Sequence, residues 1–351
     1  MVQFCHATVR GRRFHPRHPT TSFSNMGWCQ LDRPLQRKRI FLGIFRKKSQ
    51  EPETPDPHLT FLTLSAANSF RAITREVFAE MGLEVQIQPG HAVDDSGREF
   101  GFWNVAAACH DEPQSAWRSL ISAHLQRVLG SFDAPDPFEI LSAADVSGRA
   151  FARLYDEANI PTLDGYPHRE FAPGIVEMLA LDLPDTVAIF NHKNTSKFGG
   201  WEGLRIQGIT NLRRMEVEQL ETIPAPGGGS FTALLGESVY TASQALLLPE
   251  LASELTGKRI RENLGWLMSV PNRHQLVWHI IEDDTVVGAV SGMARFAAMG
   301  YSDSPGPVSP HVFWWNGTSY EQLTHVSNNG GLTIRVSPEF QTVLDSTTMD
   351  G

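Results

Sequence analysis

The stretch Gly265-Trp-Leu-Met-Ser-Val-Pro-Asn-Arg-His-Gln-Leu-Val-Trp-His-Ile-Ile281 decides how this chain folds. Two apolar runs rich in Val, Ile and Trp flank the polar tetrad Pro271, Asn272, Arg273 and His274. That is the pattern of two antiparallel strands joined by a tight connection. Side chains alternate along a strand, so Trp266, Met268 and Val270 share one face of the first run. Leu276, Trp278 and Ile280 share one face of the second, with Val277 and Ile281 opposite. Both faces are apolar and need cover. A helix before the hairpin and a helix after it would supply that cover and place the hairpin at the centre of the larger sheet.

Working outward, the preceding segment Tyr240 to Leu255 reads as helical, broken or restarted at Pro249 and ended by Gly257. A helix from about Asp283 to Met299 follows the hairpin, with Val286, Val287, Val290, Met293, Ala294 and Ala297 expected inside, and Val312 to Trp315 is a late strand. Upstream, Ala150 to Tyr155 is a strand and Asn159 to Pro173 a proline-rich loop. Gly174 to Leu181 and Thr186 to Phe190 form another hairpin. Leu204, Ile209 and Leu212 mark a helix, and Gly227 to Gly229 join two further strands. Earlier still, Phe70, Ile73, Val77, Phe78 and Met81 fall at helical spacing before Gly82. Glu84 to Gln88 and Arg98 to Trp103 make a hairpin around Asp94 to Gly97. A helix through Trp117, Leu120, Ile121, Leu125 and Val128 begins after Pro113. His124 lies on that apolar stripe and reads as a packed core histidine. The recurring unit is a hairpin followed by a helix, at Glu84 to Leu129, Gly174 to Leu212 and Trp266 to Met299. The expected class is α+β, with mixed or antiparallel sheets and helices packed on them. Its lobes span residues 59–135 and 136–351.

Charge divides the chain more sharply than its net value of −9 indicates. Residues 1–48 hold eight Arg and three Lys against one Asp, a balance of +10, which leaves −19 for residues 49–351. An acidic body repels phosphate backbones, so nucleic-acid binding by the folded part is disfavoured. The basic arm mixes Pro, His and Arg without periodicity, and residues 1–58 read as a disordered arm plus a Pro- and Glu-rich linker. A rival reading has Arg33 to Lys48 touch anionic lipid or RNA. The change of character near Leu42 further leads us to expect that the natural protein starts at or near that residue and that residues 1–41 are no working part of it. No run approaches the roughly 18 apolar residues of a membrane span and no signal-peptide pattern opens the chain, so a cytoplasmic location is expected. Three cysteines, Cys5, Cys29 and Cys109, give an odd number without metal-ligand spacing.

Several of these residues together carry a resemblance. Leu181-Asp-Leu-Pro-Asp-Thr-Val187, Asn211 and Leu212, Tyr240, Ala242 and Ser243 before Leu246 to Leu248, and Val270-Pro-Asn-Arg273 resemble the YtpQ-like bacterial proteins, over roughly residues 154–299. That family is a domain of unknown function. The resemblance implies a bacterial cytoplasmic protein and an α+β fold, and it supplies no activity, cofactor or catalytic residue.

Few residues of the chain offer chemistry. No dinucleotide fingerprint, phosphate-binding loop, nucleophile elbow or zinc-protease motif occurs. Gly227 to Gly229 lack the Lys and Ser or Thr of a phosphate loop, and His274 and His279 fall on opposite faces of one strand. No cofactor and no metal is expected. What remains is a cluster of turn residues. Asp182 and Asp185 lie in one hairpin turn and Arg273 and His274 in another, where an Asp, an Arg and a His would converge as base, anion clamp and acid if both turns pointed the same way. Read as ordinary turn residues, the same side chains instead tie two turns together, with Arg273 paired to a carboxylate. Two function classes follow. The leading one is a non-enzymatic binding or adaptor protein for a protein or small-molecule partner, with Asn272, Arg273, Trp314 and Trp315 as binding candidates and Phe313 and Tyr320 beside them. The alternative is a hydrolase or transferase using Asp182, Asp185, Arg273 and His274.

Overall fold

The computed structural model of the protein describes residues 54–349 except 161, 185 and 327–331. The expectations for the basic arm, for a start near Leu42 and for Asp185 lie outside the described residues.

The N-terminal block is built on an amphipathic helix. Thr63 caps it by accepting the Ala66 N–H, and α1 (Leu64–Glu80) buries Ala67, Phe70, Val77 and Phe78 on one stripe. Strands β1 (Val85–Ile87), β2 (His91–Asp94) and β3 (Glu99–Gly101) form an antiparallel three-stranded sheet instead of the expected hairpin. The extra strand is four residues long and runs straight into the Asp94 to Gly97 turn, too short to show a period of its own. The strand expected through Trp103 stops at Gly101, and Trp103 opens α2 (Trp103–His110). α3 (Gln114–Asp133) follows Pro113, and Trp117, Ile121 and Leu125 pack against Phe70 and Phe102. His124 is buried, as its place on the stripe required.

Short helices α4 (Pro137–Ile140) and α5 (Ala143–Arg149) lead into β4 (Ala150–Asp156). With β5 (His168–Ala172), β6 (Ile175–Asp182) and β7 (Val187–Ile189) it makes a second antiparallel sheet. β6 is central there, with β4 on one side and β5 and β7 sharing the other. The segment read as a loop from Asn159 to Pro173 thus contains β5, an edge strand whose first three residues are exposed and polar and therefore give no apolar alternation. α6 (His192–Lys197) and α7 (Gly200–Arg213) follow. At Gly208 the helix touches the sheet directly, for a Cβ there would stand 2.4 Å from the Ala152 backbone nitrogen.

The larger sheet holds β8 (Gln219–Pro224) and β9 (Ser230–Leu235), β10 (Trp266–Ser269) and β11 (Gln275–Ile280), and β12 (Phe313–Trp315) and β13 (Tyr320–Gln322). Its order is β13-β12-β10-β11-β9-β8, antiparallel throughout, so the hairpin is the central pair. Trp266 stands opposite Ile280 and Met268 opposite Trp278. On that face they pack against Ala242 and Ala245 of a 3-10 segment (Ala242–Leu247), Leu248 that caps it and Ala252 of α8 (Glu250–Thr256), and against Leu154 and Ile175 of the second sheet. The other face, with Leu267, Val277 and Ile281, is covered by Val286, Val290 and Met293 of α9 (Val286–Asp303). Beyond the short pair β14 (Thr324–Val326) and β15 (Leu332–Ile334), α10 (Pro338–Met349) adds Phe340 to this layer. One expectation fails here: Val287 is 58% exposed, because it stands about 100° around the helix from the buried stripe that starts at Val286. Among the described residues no helix is long and apolar enough to cross a membrane.

Candidate functional site

β4 carries Phe151, Arg153 and Tyr155 on one face by strand alternation. The Tyr240 ring stacks on Phe151 with centroids 4.2 Å apart. Beside it the Arg153 guanidinium lies over the rings of Tyr155 and Tyr240, 4.7 and 5.7 Å from their centroids. Arg153 is only 2% exposed, yet among the described residues its Nε and Nη1 have no hydrogen-bond partner, and no well-formed hydrogen bond reaches the Tyr155 hydroxyl.

The second arginine comes from the turn of the central hairpin. Asn272 shapes that turn, its side chain accepting the His274 N–H and donating to the Gly300 carbonyl. Arg273 is then fixed at three points: its N–H donates to the Gly306 carbonyl, its own carbonyl accepts from Ala242, and its Nε donates to His274 Nε2 at 2.8 Å. The other ring nitrogen of His274, Nδ1, lies 3.2 Å from the Gly236 carbonyl, an arrangement that requires Nδ1 to carry the proton and Nε2 to accept. Burial and the Arg273 charge push the His274 ring down to about 3, so it stays neutral. The outcome is an oriented guanidinium, 5% exposed, whose Nη1 is buried without a partner among the described residues. Gly306 permits the close approach: its φ is +66°, and a Cβ there would lie 2.6 Å from Arg273 Cδ.

Both arginines line one cavity of about 430 Å³. The N-terminal block forms part of its wall through Trp103, whose Nε1 donates to the Ser304 carbonyl, and Asn104, whose Oδ1 accepts the Gly306 N–H. Asp156 and Tyr301 complete it, with the Tyr301 hydroxyl donating to Asp156 at 3.1 Å. The two cations act on each other, for burial first and then the Arg153 charge push Arg273 down to about 9. Burial also raises the Tyr155 hydroxyl, with both arginines working against that rise. No carboxylate among the described residues forms an ion pair with Arg153 or Arg273.

These positions revise the expected cluster. Arg273 and His274 do meet, but as guanidinium and neutral acceptor, and the carboxylate expected beside Arg273 is not there among the described residues. Asp182 instead accepts from the Tyr240 hydroxyl at 3.3 Å and so supports the ring that flanks Arg153. Asn272 is buried and spends its side chain on the turn. Trp314, named as a binding residue, is buried, donates to the Leu264 carbonyl and packs on Phe340; Phe313 and Tyr320 are buried as well. β12 lies inside the large sheet and β13 at its edge, and both bury these aromatic side chains in the core. Trp315 alone of these is half-buried, stacked on Trp266 at the rim of a separate depression of about 680 Å³. Arg153 and Tyr155 escaped sequence reading because they sat inside a strand read as ordinary. The available signal was an arginine between two aromatics, Phe151 and Tyr155, at strand spacing in an otherwise apolar run. The described residues bring no three His, Cys, Asp or Glu side chains together in a metal-holding group. Neither a protein-family model, nor a curated protein, nor a solved structure matches this chain, so the YtpQ-like resemblance rests on the residues quoted for it.

Proposed function

We propose that this is a binding protein for a small anionic molecule, held in the cavity between Arg153 and Arg273. The observation that carries the reading is two guanidinium groups, each more than nine-tenths buried, with nitrogens that no group among the described residues satisfies. Taking a charged group out of water costs several kcal/mol even after relaxation, and the cost is recovered only when a counter-charge and hydrogen bonds are supplied. An anion entering the cavity supplies the counter-charge. The alternative, a hydrolase or transferase acting through Asp182, Asp185, Arg273 and His274, has less support, since both nitrogens of His274 are engaged and its ring is held neutral. Thermal melts with a panel of small phosphates and carboxylates test the reading: at least one class should raise the melting temperature, as any ligand of the native state does. Arg153→Met should weaken that ligand by about 2 to 5 kcal/mol, roughly 30- to 4,000-fold. A panel without a single stabilising anion would overturn the proposal.

A further inference from the structure

Resting on that reading, we infer that the anionic group is a dianion of the phosphate monoester class, carried on a small molecule with no second anionic end. The chain contains its own comparison. Glu177 is fully buried and is bound by two arginines, Arg169 and Arg205, so one carboxylate is enough for two guanidinium groups there. Those arginines are 51% and 23% exposed, and water carries the surplus positive charge. Arg153 and Arg273 have no such outlet, being 2% and 5% exposed. One negative charge leaves a buried surplus there, and two close together remove it.

The rest of the cavity restricts what the dianion is attached to. Asp156 lies along it with Oδ1 accepting the Ala158 N–H and Oδ2 accepting from Asn159 and Tyr301. None of these hydrogen bonds comes from a cavity arginine, so Asp156 stands apart from them as an acceptor, with its carboxyl raised by burial. A dicarboxylate with charges at both ends would bring its second charge against that carboxylate, whereas a hydroxyl- or amine-bearing body would donate to it. Trp103, Ile160, Pro307 and Val308 supply apolar wall between. The volume is in the range of ordinary small-molecule sites and exceeds what a bare head group fills.

Isothermal titration calorimetry on the full chain at neutral pH, where the second ionisation of a phosphate monoester is largely complete, compares three probes of one body: phenyl phosphate, benzenesulfonate and benzoate. Benzenesulfonate keeps the tetrahedral head with a single charge. Phenyl phosphate should bind at least about tenfold tighter than either monoanion, the gain of a second charge-assisted pair. Arg273→Met should erase that preference while still binding both tetrahedral probes, with a melt confirming that the variant is folded. If benzoate or benzenesulfonate binds as tightly as phenyl phosphate, and Arg153→Met abolishes it, the dianion class is overturned and the anion-binding reading stands. If none of the three binds, or Arg153→Met leaves binding unchanged, both fall together.

Discussion

Two guanidinium groups buried without a carboxylate weaken the fold that holds them, and this gives the arginines a signature that structural residues lack. Replacing a buried charge by an apolar side chain of similar volume is often neutral or stabilising by about 1 to 4 kcal/mol. Arg153→Met should therefore raise the melting temperature of the free protein while removing its response to anions. A residue that merely held the fold would lower the melting temperature instead, and that result would count against the site. His274 offers a second handle at this scale. The ring ordinarily titrates near 6.5, and burial with the neighbouring Arg273 lowers it to about 3; His124 on α3 is lowered to about 4 by burial and by Arg127 and Arg273. Below the ordinary value the unfolded chain binds protons that the folded chain refuses. Stability from these two rings is thus present above about pH 6.5 and is lost as the pH falls towards 4, with a slope of up to about 1.4 kcal/mol per pH unit for each ring. Denaturant melts between these pH values should show that slope in the parent and a shallower one in His274→Gln. Gln still offers an acceptor to Arg273 Nε and a donor to the Gly236 carbonyl.

Among the elements, the hairpin of β10 and β11 shows what the sequence discloses and what it withholds. Its alternation placed Trp266 and Met268 on one face of the first strand and Leu276, Trp278 and Ile280 on one face of the second; the register sets both on the same side, and the core is divided along that line. A period of two and two apolar faces that need cover are both local properties. Trp278→Ala should accordingly cost about 3 to 5 kcal/mol, whereas Val287→Ser on the exposed side of α9 should stay within about 0.5 kcal/mol. Equilibrium unfolding of the pair checks both, and equal effects would mean that the face assignment is wrong. Illegible were the elements whose residues lack a period: β5, polar on an edge, and α6, six polar residues capped by Asn191. The site was half legible. Arg273 and His274 stood out as turn residues, but Arg153 reads as a surface charge until the Tyr155 and Tyr240 rings are brought around it, and Tyr240 lies 87 residues downstream of Arg153. Nothing within a window of sequence reports such a meeting.

At the scale of the whole molecule, the cavity is where the N-terminal block, the second sheet and the large sheet converge, and residues from Pro55 onward belong to one compact unit. The acidic body makes this a small cationic site within a chain of opposite average charge, which favours a buried and specific contact over general attraction of anions. If convergence is what shapes the site, then a residue of the N-terminal block that holds the Gly306 loop should help control binding. Asn104 is that residue. Its Oδ1 receives the Gly306 N–H at 2.8 Å, and Gly306 in turn holds the Arg273 backbone and lies against its side chain. Asn104→Ala removes the acceptor and leaves a part-buried N–H unsatisfied, a cost of about 1 to 3 kcal/mol. The loop can recover that cost only by lifting towards water, away from Arg273. Both guanidinium groups remain in the variant, so its charge is that of the parent. We therefore expect Asn104→Ala to remain folded with a slightly lower melting temperature and to bind phenyl phosphate about three- to tenfold more weakly, the range of a modest loss of positioning. Calorimetry beside a thermal melt gives both numbers. An unchanged affinity with a lowered melting temperature would show that the N-terminal block only covers the cavity and takes no part in setting the position of Arg273.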